Sequence, residues 1–205
     1  MSGPRIVHVV DDDPAVRDSL RLLLKTERFS VLAHASARDF LAVVSPDETG
    51  CVVTDVRMPE KSGFELLADM KALRIGLPVI VITAHADVPL AVRAIKAGAV
   101  DLLEKPFDDE ALLKAIRLAL NRGPDTALDA EAAAARERIT RLTGREKEVL
   151  TGILGGRSNK LIAHDLGTSV RTVEAHRAHL MAKMRAGNLS ELVRLSLLAQ
   201  REGPA

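Results

Sequence analysis

The chain has 205 residues, 47% of them hydrophobic, a single cysteine and a formal net charge of +1, a length that suits one large or two small domains. No signal pattern opens it, and no apolar run approaches the roughly 18 residues that a membrane span needs, so a cytoplasmic protein is expected. The sequence holds no Tyr or Trp, which argues against single-strand recognition by base stacking. Cys51 lies in an apolar run and has no second cysteine to pair with, so it reads as a small buried side chain rather than a reactive thiol.

The near-neutral total hides an asymmetry. Residues 1–122 carry 16 Lys/Arg against 18 Asp/Glu, residues 123–138 carry 2 against 4, and residues 139–205 carry 11 against 6. A basic final third points to a polyanionic partner.

Taken in order, apolar runs at 5–10, 30–34, 51–54, 78–83 and 100–104 predict five strands, and helical spacing at 14–26, 63–72, 88–97 and 109–120 predicts the helices between and after them. This alternation, ending near residue 122, is an α/β doubly wound domain with a parallel five-stranded sheet. Gly123-Pro124 then breaks the pattern. Residues 129–138 are alanine-rich and charged, without an apolar face, and predict a helical or partly ordered linker within 123–138. From residue 139 every element is helical. Thr143-Gly144-Arg145-Glu146 forms a capping box that opens a helix to Leu154, and Gly155-Gly156 ends it. A short helix at 159–165, a turn through Gly167 and a helix at 170–184 capped by Ser169 make a helix-turn-helix. A last helix at 190–200 carries Leu192, Leu195, Leu198 and Ala199 on one stripe.

In a parallel sheet of this kind, the loops after the strands' carboxyl ends converge on one crevice. Asp11, Asp12 and Asp13 follow the first strand, Asp55 the third, Thr83 ends the fourth and Lys105 follows the fifth. Carboxylates grouped this way suit Mg²⁺ or Mn²⁺, held by Asp11, Asp12 and Asp55. A carboxylate can attack phosphorus to give an acyl phosphate, with Thr83 and Lys105 stabilising the charge that develops.

These residues carry a family resemblance. Val9-Val10-Asp11-Asp12-Asp13, Asp55-Val56-Arg57-Met58-Pro59 with Gly63, Thr83-Ala84 and Lys105-Pro106 resemble the receiver domain of two-component response regulators over residues 5–122. The resemblance implies a sheet in the order 2-1-3-4-5, Asp55 as acceptor of a phosphoryl group from a sensor histidine kinase, the Arg57 carbonyl as a further metal ligand, and a cis Lys105-Pro106 bond. Such a protein is not itself an enzyme, beyond loss of its own phosphoryl group. One position departs from the pattern: Leu102 stands where receivers usually carry an aromatic residue, so an aromatic rotamer switch is excluded.

Residues 141–198 resemble the LuxR-type output domain, on Leu142-Thr143, Arg145-Glu146, Ser158-Asn159-Lys160, Arg171-Thr172-Val173-Glu174 and His176-Arg177 among others. On the helix at 170–184, Val173, Leu180 and Met184 face inward, while Arg171, Glu174, Ala175 and Ala178 face outward to the major groove of double-stranded DNA. Glu174 can accept from a cytosine amino group, and Ala175 or Ala178 can lie on a thymine methyl. Ser158, Asn159 and Lys160, with Arg171, Thr172, Arg177 and Lys183, are expected to hold phosphates. His176 reads as a half-buried side chain, having no second metal ligand nearby.

Together the halves resemble regulators of the FixJ type. That likeness implies transcriptional control of microaerobic or nitrogen-fixation genes, a haem-containing oxygen-sensing kinase as donor, a homodimer formed on phosphorylation, and RNA polymerase as a further partner. Two other readings remain open on the residues alone. One is an aspartyl-phosphate phosphatase of the haloacid-dehalogenase kind, disfavoured because Arg57 stands where those enzymes carry an acid. The other is a phosphorelay or interaction module whose helical tail never touches DNA.

Overall fold

The computed structural model describes residues 5–121 and 125–200, so the predicted break at Gly123-Pro124 lies outside the described residues. Packing divides the chain into two compact units, Met1–Ala86 with Lys96–Arg122, and Asp87–Ile95 with Gly123–Ala205.

The first unit is built on five parallel strands, β1 (Ile6–Val10), β2 (Ser30–His34), β3 (Gly50–Asp55), β4 (Val79–Thr83) and β5 (Asp101–Glu104), in the order β2-β1-β3-β4-β5. In sequence they alternate with α1 (Pro14–Thr26), α2 (Ala37–Val43), α3 (Gly63–Ala72), α4 (Val88–Ala97) and α5 (Asp109–Leu120). Every residue of β4 is buried, and so is all of β3 except Gly50. Strands covered on both faces need continuous apolar runs rather than alternation. The edge strand β2 buries only His34. Helix starts follow local chemistry: Asp13 accepts from the Ala15 amide with Pro14 behind it, and Ser62 and Glu65 form a reciprocal capping box on α3.

Level strand ends matter most for the site. Val10 pairs with Thr54, Asp55 with Ile82 and Thr83 with Glu104. Asp11, one step beyond β1, therefore stands level with Asp55, while Lys105 lies two steps beyond that level on β5 and reaches back across β4 with its long side chain.

A buried polar group joins β1 to β2. His8 Nδ1 and His34 Nε2 are 3.0 Å apart and share a hydrogen bond, His8 Nε2 bonds Glu48 Oε1 at 3.1 Å, and both rings meet the Phe40 ring edge-on. Burial, with His8 beside it, lowers the His34 pKa to about 4, against the opposing pull of Asp39 and Glu48. Burial lowers His8 likewise, against Glu48. Two neutral rings can share one proton in an apolar setting at little cost, whereas two imidazolium ions cannot.

The second unit contributes α6 (Asp125–Thr140), α7 (Gly144–Leu154), α8 (Asn159–Asp165), α9 (Val170–Met184) and α10 (Leu189–Ala199). Val149, Leu150, Ile153, Ile162, Val173, Leu180, Met184, Leu192 and Leu195 fill one core. Gly152 on α7 lets α8 approach, since a Cβ there would lie 2.7 Å from Ile162 Cγ1. Gly167 takes the left-handed conformation (φ 62) that the turn between α8 and α9 requires.

The linker is helical, as expected, but it has a packed face where none was expected. It is a 16-residue helix with an inward stripe of Ala132 and Ala135, and Arg194 of α10 grips its Glu131 with two bonds of 2.6 and 2.8 Å. Alanine scarcely registers as apolar in a pattern search, yet its small side chain lets helices pack closely.

A second ion pair ties α7 to α9. Lys183 Nζ lies 2.7 Å from Glu146 Oε2, and Glu146, the capping-box acid of α7, is only 3% exposed. The Lys183 bond, aided by the Thr143 amide and hydroxyl and opposed by burial, brings the Glu146 pKa down to about 2.

Two expectations follow. Lys183→Met should lower the stability of the helical unit by about 2 kcal/mol, the scale of a hydrogen bond to a charged group, read as a lower urea midpoint. For His34, the unfolded side chain takes a proton near pH 6.5 and the folded one only near 4. Stability should therefore fall as pH drops between those values, and His34→Gln should flatten that part of a thermal-unfolding profile.

Candidate functional site

At the carboxyl edge of the sheet, the strand ends bring three predicted groups into direct contact. Lys105 Nζ bonds Asp11 Oδ2 at 2.9 Å and Asp55 Oδ1 at 2.8 Å. The remaining carboxylate oxygens are held by the backbone, with Asp13 N donating to Asp11 Oδ1 at 2.9 Å and Arg57 N to Asp55 Oδ2 at 2.5 Å. Asp11 is 1% exposed and Asp55 8%. Two buried like charges raise each other's energy, and a cation between them relieves both. Burial works against the charge on Lys105, but the bonds and charges of Asp55 and Asp11 outweigh it and its pKa is raised. The ammonium stays protonated.

Asp12 and Arg57 lie exposed at the rim. Gly63, the first residue of α3, passes so close behind Asp55 that a Cβ there would fall 2.4 Å from the Asp55 carbonyl oxygen. Only glycine lets α3 begin at that distance. The Lys105-Pro106 peptide is cis, as the resemblance implied. Arg17, which the sequence reading did not single out, donates from Nη1 to the Asp11 carbonyl at 2.6 Å and steadies the loop after β1.

Thr83 is the predicted member whose hydroxyl points elsewhere. It donates to the His85 carbonyl at 3.2 Å and accepts from the His85 amide at 3.3 Å. The hydroxyl thus faces its own loop. Its backbone remains fixed to the site, because Lys105 N donates to Thr83 O at 2.7 Å. Leu102 is buried within β5.

The donor set suits a hard cation in part. Among the described residues no group of three or more His, Cys, Asp or Glu side chains is arranged to hold a metal. Asp11 and Asp55 nevertheless hold one cationic group jointly. Mg²⁺ takes one or two carboxylates, keeps several waters and completes its shell with phosphate oxygens, so a carboxylate pair is a sufficient protein contribution.

In the helical unit, the outward face of α9 is as expected. Arg171, Glu174, Ala175 and Ala178 are exposed, while Val173, Leu180 and Met184 are buried. His176 is half-buried. The structure sorts the basic residues into two groups. Arg177 Nη1 bonds Asn159 Oδ1 at 2.8 Å, Arg157 pairs with Asp165 at 2.8 Å, and Lys183 holds Glu146. These charges brace α7, α8 and α9. Lys160, Arg171 and Thr172 are exposed. Ser158 and Ser169 cap α8 and α9 through the Leu161 and Thr172 amides.

Comparison with known proteins agrees with both halves. Residues 7–117 match the response regulator receiver domain, and residues 140–196 match the LuxR family of bacterial regulatory proteins. The chain is 50% identical over 194 residues to the transcriptional regulatory protein FixJ of Azorhizobium caulinodans, covering 94% of this chain and 92% of that one. It is 48% identical over 192 residues to FixJ of Rhizobium meliloti, covering 93% and 94%. Full-length FixJ from B. japonicum has a similar structure, with a TM-score of 0.52, 45% identity, and 97% and 98% of the two chains covered. A receiver with an acidic crevice joined to a LuxR-type helix-turn-helix defines the class, and the chain belongs to the two-component response regulators that carry a DNA-binding domain. Within that class it is FixJ-like.

Proposed function

We propose that Asp55 accepts a phosphoryl group from a sensor histidine kinase and that the modified protein binds promoter DNA as a homodimer. The observation that carries this reading is the Lys105 bridge between Asp11 and Asp55. An Asp55 oxygen forms the bond to phosphorus as the bond from phosphorus to the donor's imidazole nitrogen breaks, and that nitrogen departs with the electron pair. The Arg57 amide holds one carboxylate oxygen, and the Lys105 ammonium stands where negative charge builds up. Bound Mg²⁺ or Mn²⁺, held by Asp11, Asp55 and Asp12 with the Arg57 carbonyl, would supply positive charge to the phosphoryl oxygens. Thr83 then turns its hydroxyl from His85 to the new phosphoryl group, without help from an aromatic residue.

The names of the relatives support transcriptional control; from the family likeness alone we further propose nitrogen-fixation or microaerobic genes as targets, an oxygen-sensing haem kinase as donor and RNA polymerase as a further partner. The exposed face of α9 reads bases, and Lys160, Arg171 and Thr172 hold phosphates along with the amino terminus of α8. Loss of the phosphoryl group by hydrolysis resets the protein.

Incubation with acetyl phosphate and Mg²⁺ should add 80 daltons as an acid-stable, base-labile adduct on Asp55. The adduct should raise both the dimer fraction on gel filtration and the affinity for promoter fragments. Asp55→Asn should abolish all three responses, and wild-type protein that takes up no phosphate overturns the reading. Arg171→Ala should weaken binding to all duplexes and reduce the salt slope by about one at unchanged thermal stability. Glu174→Ala should relax preference at one base pair, by about 1–3 kcal/mol.

A further inference from the structure

The loop between β4 and α4 is tied to β5 by a bond that the acceptor chemistry does not use. Glu104, the last residue of β5, is exposed and accepts from the Ala86 amide at 3.1 Å through Oε1. Ala86 lies three residues beyond Thr83. Between them, His85 holds the Thr83 hydroxyl through its own amide and carbonyl. The Thr83 carbonyl is meanwhile fixed to the Lys105 amide at 2.7 Å. One end of the loop is thus anchored by backbone, and the other is held by a single carboxylate one residue before the site lysine. Leu102, two residues further back along β5, has neither the ring nor the polar tip with which an aromatic side chain would follow the loop.

We infer that Glu104 is a positioning residue that holds the 83–86 loop in its resting arrangement and so keeps the Thr83 hydroxyl turned away from Asp55. The inference rests on the phosphoryl-acceptor reading above. The bond from Glu104 to Ala86 exists in the arrangement where Thr83 is bonded to His85. A contact made in one of two arrangements biases the equilibrium toward it, and its removal shifts the population the other way. Any ligand that requires the other arrangement then binds more tightly. Glu104 opposes activation without touching the phosphoryl group.

Beryllofluoride with Mg²⁺ is the probe, titrated into the full chain and followed through the Thr83 and Ala86 amide resonances. Glu104→Ala should lower the half-saturating concentration about 3- to 10-fold. Glu104→Gln keeps an acceptor oxygen and should stay within about 2-fold of wild type. The pair separates the latch from simple electrostatics, because both variants remove the same negative charge near an anion site. Equal tightening in the two variants overturns the inference, as does unchanged or weaker binding in Glu104→Ala. Damage to the fold would lower the melting temperature and weaken binding together, opposite in sign to the expected gain. In a Thr83→Ala background, Glu104→Ala should give no tightening, since no hydroxyl remains to be released. A wild-type protein that shows no response to beryllofluoride overturns the acceptor reading and the latch with it, whereas a wild-type response without the Glu104→Ala gain overturns the latch alone.

Discussion

The receiver unit depends on one ammonium group shared between two buried carboxylates. Asp11 and Asp55 come from different strands, and placing two nearly inaccessible carboxylates side by side has a cost that a cation between them offsets. Lys105 supplies that cation from a third strand end. The demand reaches back into the sheet: the strands must be level, so the register from β1 to β3 to β4 to β5 must hold. It reaches forward into the loops as well, since Gly63 has to start α3 against the Asp55 carbonyl. A phosphoryl group on Asp55, as proposed, would leave such a crevice short of positive charge. A divalent cation would offset that shortage.

The helical unit solves a different problem with the same kind of pair. Its α8 is a seven-residue helix, too short to be stable alone, so it relies on neighbours. Arg177 reaches from α9 to Asn159 at the start of α8, and Lys183 reaches to the cap of α7. The cost is that these cations are partly committed to the scaffold, which leaves Lys160 and Arg171 as the more available charges on the exposed side. A basic balance of charge in the final third is therefore an upper bound on what a duplex can use.

Much of this was legible in the chain. Apolar runs placed all five strands to within a residue or two, four of them ending in Asp, Thr or Lys, and both capping boxes stood at helix starts where Ser or Thr precedes Glu by three. Cys51 is buried with its thiol pushed up to about 12 by burial, as its apolar run suggested. The linker was the element least well read. Ala132 and Ala135 carry little hydropathy contrast, so the packed face of α6 gave no periodic signal, and its grip on Arg194 joins residues 63 positions apart. α2 has only seven residues, too few for a helical period to stand out. The His8, His34 and Glu48 group was also missed, because a histidine within an apolar strand has no pattern to mark it.

The sequence by itself determined the order and type of the elements, the division into an α/β half and a helical half, and the residue types gathered at the strand ends. Those follow from local rules of periodicity, capping and turn chemistry, each acting over a few residues. Tertiary structure decided which atom bonds to which: Lys105 to both carboxylates across separations of 94 and 50 residues, Thr83 to its own loop rather than to Asp55, and Glu104 to Ala86 across 18. A side chain's rotamer and partner are set by whatever other strands and helices place beside it. Periodicity along one segment reports only which face is covered.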